Sequence, residues 1–174
     1  MAYFPSVTVS SITAGENHLG AIGGNTTIIT ATPTLSVAGA YSAGDFVGTT
    51  STAITLTNSA RVNAGSGIIQ SAVLVDGDVQ SVSMELWVFD TTFTPPTDNA
   101  AWSISDAVAA TLVGVVPFTT YYTSALNSVS QADNLGIGFV CGASSRNLFA
   151  ALVTRGTPTF TSGNLSIRLV ITQD

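Results

Sequence analysis

The chain is 174 residues long with ten acids, four arginines and no lysine, a formal net charge of −6 and only 8% charged residues, where an ordinary soluble domain carries about 25%. It has no basic cluster to displace counterions from phosphates or to hold an anionic membrane surface, so neither a nucleic-acid binder nor a polybasic membrane anchor is expected. A mean hydropathy of +0.45 comes without a spanning segment: the longest apolar run, residues 107–116, is interrupted by Thr111 and falls short of the roughly 20 residues a bilayer requires.

Hydroxyl groups stand where charge is missing: 25 Thr and 20 Ser. An apolar share of 45% argues against disorder, and the length fits one domain. The first residues show neither a basic start nor an apolar core of export-signal length. The single Cys141 excludes an internal disulfide and suits a reducing cytoplasm.

In chain order, residues 1–30 read as an extended arm, because Gly15-Glu-Asn-His-Leu-Gly-Ala-Ile-Gly-Gly24 has four glycines in ten residues and no period. Residues 31–174 read as the body. Strands are expected at 27–31, 34–38, 53–57, 67–75, 79–90, 113–119, 136–140 and 148–154. In 79–90, Val82, Met84, Leu86 and Val88 alternate with Ser81, Ser83, Glu85, Trp87 and Phe89, the period of a strand with one face on a core. Trp87 and Phe89 on the second face would lie under a loop in a monomer or in an interface between subunits. The turn at Asp76-Gly-Asp78 reads as a hairpin. Ser103-Ile-Ser-Asp106 supplies cap residues for a short helix over 105–112. Near the C-terminus, Leu165, Ile167, Leu169 and Ile171 alternate with Ser166, Arg168, Val170 and Thr172, and 157–160 would end their hairpin partner. Short strands with regular turns predict an all-β sandwich or jelly roll with one short helix.

The residue types for catalysis or metal binding are scarce. His18 is the sole histidine and lies in the glycine-rich segment, where nothing holds it as a base. One His and one Cys make no zinc set, and the spaced acids of a calcium loop are missing. Glu85 and Asp90 fall on opposite faces of their strand and form no glycosidase pair. No enzyme, metal or cofactor is expected. With four arginines, each is expected to hold something, and Arg146 and Arg155 are candidates for ordering a loop or pairing with a neighbouring subunit.

Several ordered motifs resemble a group of tailed-bacteriophage structural proteins. They are Tyr41-Ser-Ala-Gly-Asp-Phe-Val-Gly48; the run from Gly65-Ser-Gly-Ile-Ile-Gln-Ser71 to Asp76; Phe93-Thr-Pro-Pro-Thr-Asp-Asn-Ala-Ala101 followed by Val113-Gly-Val-Val116; and the run from Asn147 to Asp174. The resemblance covers residues 40–174. Asn17-His-Leu-Gly-Ala-Ile22 is similar to Asn-x-Ile-Gly-x-Val elements ahead of such domains, with Leu19 where Ile is usual.

The resemblance implies a β-sandwich virion component. The leading expectation is a capsid decoration (cement) protein, made in the bacterial cytoplasm and placed on the capsid exterior. It would associate with itself, as a homotrimer, and with the major capsid protein. His18, Leu19, Ile22, Trp87, Phe89, Arg146 and Arg155 are the expected contact residues. The alternative is a head-fibre or tail protein whose Trp102, Tyr121 and Tyr122 stack on host glycan.

Overall fold

In the computed structural model, which describes residues 25–35, 39–48 and 52–174, the period-2 segments become two antiparallel sheets. The elements are β1 (Asn25–Ala31), β2 (Phe46–Val47), β3 (Ile54–Leu56), β4 (Ser66–Asp76), β5 (Met84–Phe89), α1 (Asp106–Ala109), β6 (Leu112–Phe118), β7 (Tyr121–Thr123), β8 (Ser128–Ala132), β9 (Ile137–Val140), β10 (Leu148–Thr154) and β11 (Leu165–Gln173). One sheet runs β1-β11-β4-β8-β7, with β9 also on β4; the other runs β2-β10-β5-β6, with β3 also on β10.

Each sheet is organised around a long strand whose one edge is shared by two short ones. On β4, β9 takes residues 66–69 and β8 takes 72–76. On β10, β3 takes 148–150 and β2 takes 152–153. The sheets face each other over one core, with Ile69, Leu74, Ile167 and Leu169 from the first meeting Leu86, Val88, Val116 and Leu152 from the second. The expected all-β, sandwich-like body is therefore the observed architecture. Its short helix is also present: Ser105 is the N-cap, its side chain accepting from the Val108 amide, as small hydroxyl residues do at helix starts.

Several expectations are corrected. Asn25–Ala31 pairs residue by residue with β11, so residues 25–30 belong to the sheet and not to the arm; residues 1–24, with His18, Leu19 and Ile22, lie outside the described residues. Asp76-Gly-Asp78 joins strands of different sheets and is not a hairpin turn. Only Met84–Phe89 of 79–90 is strand, because the Asp76 carboxylate accepts the amides of Asp78, Gln80 and Ser81 (2.9, 2.6 and 3.0 Å). Those bonds hold Val79 and Ser81 at φ +56° and +52°, left-handed values that no strand accommodates.

Residues 157–160 likewise form no hairpin with β11, whose neighbours are β1 and β4. Of the expected strand at 34–38, Thr34 and Leu35 are irregular and the rest lies outside the described residues.

Candidate interaction surface

The two sheets treat their outer faces differently. On the five-stranded sheet the outward residues are covered by the chain itself. Phe89 is fully buried, as are Phe46, Ala151 and Val153. The segment after β5 folds back so that Phe93 lies 4.4 Å from Phe89, ring centre to ring centre, and Trp102 lies 6.0 Å from Phe46 and 5.8 Å from Trp87. The rings expected as contact residues thus meet a loop of their own chain. Phe89 offers no surface to a partner, and Trp87 is half-buried, its Nε1 donating to Glu85 Oε2 at 3.0 Å.

Two of the motifs hold this cover in place. Asp98 accepts from the Tyr41 hydroxyl and from the Gly48 amide (2.9 Å). Backbone bonds join Phe46 to Ala100, Asn99 to Phe46 and Trp102 to Gly44. Gly44 sits at φ +96°, a conformation that favours glycine. The acidic turn works the same way elsewhere: Asp78 accepts four bonds, from the amides and hydroxyls of Thr161 and Ser162. Burial alone would raise the Asp78 pKa, but these bonds outweigh it and hold the carboxyl below its ordinary value. Among the described residues no group of three or more His, Cys, Asp or Glu is placed to hold a metal ion.

The arginines separate. Arg155 Nη2 donates to Glu85 Oε2 at 2.6 Å, and this partner's hydrogen bond is the main cause of the lowered Glu85 pKa. That is the loop-ordering role: the bond ties the end of β10 to β5. Arg146 is exposed, at the turn before β10. Trp102 is packed in the ring cluster. Tyr121 lies against the core with its hydroxyl buried, so of the three aromatics expected on a sugar platform only Tyr122, 69% exposed, stands free in solvent.

The six-stranded sheet carries no such cover among the described residues. Of the charged side chains within its strands, Asp76 is buried and Arg168 is exposed. The remaining outward positions are uncharged. The register sets Ile28 beside Val170, Thr30 beside Arg168, Arg168 beside Val73, Val75 beside Val129, and Val129 beside Tyr122. Ile68, Val140, Ile28 and Tyr122 are 41%, 59%, 55% and 69% exposed. Two acids stand at its rim, where Asp133 accepts from the outward Gln131 (2.8 Å) and Asp174 from the outward Ser66 (2.8 Å). Within the strands the outward face carries Arg168 as its one charge. Such a sparsely charged face, in a chain of net charge −6, has the character of a protein contact surface.

The alternation of Arg168 and Val170 in the sequence marks part of this face. Its continuity with Ile28 and Val73 depends on pairings between distant segments. A comparison with protein-family models finds no match, and neither does a search of curated proteins.

Proposed function

We propose that this chain is a non-enzymatic structural protein of a tailed-bacteriophage particle, acting as a decoration protein on the capsid exterior. The observation that carries the reading is the uncovered, sparsely charged outer face of the six-stranded sheet, joined to the motif resemblance over residues 40–174. That face would lie on the major capsid protein, and residues 1–24 would supply a second attachment through His18, Leu19 and Ile22. Self-association accompanies the reading; no cofactor, nucleic acid or membrane is part of it.

The test is co-sedimentation of the purified chain with phage heads that lack it. Binding by the wild-type chain, lost in a folded Val73→Glu variant, is the expected result. Binding that is absent, or unaffected by Val73→Glu, overturns the proposal. The second reading, a head-fibre or tail protein that binds glycan, rests on the exposed Tyr122. It requires binding to tails or to sugar, weakened by Tyr122→Ala.

A further inference from the structure

We propose that two copies of this chain join edge to edge through β1, around a two-fold axis at Ile28, so that their six-stranded sheets become one continuous sheet. β1 ends its sheet, and among the described residues no strand pairs with its second edge. Proteins protect such an edge with charge, proline or a bulge, because its free backbone groups will pair with another strand. Asn-Thr-Thr-Ile-Ile-Thr-Ala has none of the three: it is uncharged, free of proline and in unbroken register with β11.

The occupant follows from the strand's own pattern. Continuing a sheet antiparallel sets residues of the same face opposite each other, so a copy of β1 must be centred on a residue and not between two. Centring on Ile28 is the choice that pairs all seven residues. It sets Ile28 against Ile28, Thr26 against Thr30 and Thr27 against Ile29 of the second copy.

The outer face then matches like with like. Ile28 already lies beside Val170 of β11, and the axis turns that pair into an apolar row of Val170, Ile28, Ile28 and Val170 across both copies. Threonines meet threonines on either side of it, pairings that stabilise antiparallel strands. Charge does not oppose the contact. The outward charge nearest the edge, Arg168, sits opposite Thr30, so across the axis it aligns with the row of Thr26 and Thr172, not with the second Arg168. An isologous contact of this kind closes on itself and gives a pair, not a fibre.

The test is sedimentation of the full chain over about 1 to 200 µM, a range suited to a contact of modest area. The wild-type chain should pass from 17.7 kDa to twice that mass. Ile28→Glu and Ile28→Arg, each checked for a native circular dichroism spectrum, should separately weaken pairing by about tenfold or more, because each sets like charges face to face. Mixed in equal amounts they should pair again, since the axis brings Glu against Arg. A monomeric wild-type chain, as follows if its own residues 1–24 cover β1, overturns the proposal; so does a trimer, and so does a mixture that fails to pair.

Discussion

The Tyr41 hydroxyl lies 2.8 and 2.9 Å from the two carboxylate oxygens of Asp98, 57 residues further along the chain. This contact fastens the segment that covers the outer face of the five-stranded sheet, and Asp98 also accepts the Gly48 amide. Removing the carboxylate leaves a nearly buried tyrosine hydroxyl and an amide short of an acceptor. Asp98→Ala should therefore cost about 2 to 3 kcal/mol, and Asp98→Asn, which keeps an acceptor oxygen, less. Urea unfolding measures both.

The ring cluster beneath that segment should behave as a second core. Phe89→Ala should destabilise by about 3 to 5 kcal/mol, the range for emptying a fully buried aromatic site. Both tryptophans of the chain, Trp87 and Trp102, belong to the cluster. Their fluorescence should therefore shift to the red in Phe89→Ala before the far-ultraviolet spectrum changes.

The Glu85–Arg155 pair should contribute little, because its side chains are 27% and 41% exposed. A double-mutant cycle with Glu85→Gln and Arg155→Ala should give a coupling below about 1 kcal/mol that shrinks with added salt.

Acid should loosen the turn clamps. The Asp78 carboxyl is held below its ordinary value of 3.8 and that of Glu85 below 4.5. A carboxyl with a depressed folded-state pKa contributes stability that is fully present above its unfolded value and lost as pH falls through the folded one. Melting temperature should thus fall as pH drops below about 4.5, and more gently in Asp78→Asn than in the wild-type chain.

Two buried hydroxyls run the other way. The Tyr121 hydroxyl and Ser130 Oγ have no hydrogen-bond partner within the described residues, and burial, then Asp76, raises the Tyr121 pKa. An unpaired buried hydroxyl costs about 1 to 3 kcal/mol, so Tyr121→Phe and Ser130→Ala should leave the melting temperature unchanged or raise it. A drop of several degrees in either would show that the hydroxyl is bonded.

Ser130 also explains why part of the fold was hidden in the sequence. Ser128 and Ser130 of β8 point inward and are fully buried, so this strand inverts the usual apolar-in pattern and offers no period to read. β2 is two residues long and β7 three, too short for periodicity. The C-terminal alternation was legible because Leu165, Ile167, Leu169 and Ile171 all face the core. Its pairing with β1, across some 140 residues, was not, since local pattern does not choose between distant partners. The candidate surface was half-legible for the same reason: Arg168 and Val170 stand on one expected strand and Ile28 on another, at 27–31, but only the pairing of those distant strands sets them side by side.

Immunogold labelling of intact virions with antibody to this chain tests its proposed place on the capsid most directly. Label over the whole head surface is the predicted result; label confined to the tail, or none on the virion, would contradict it.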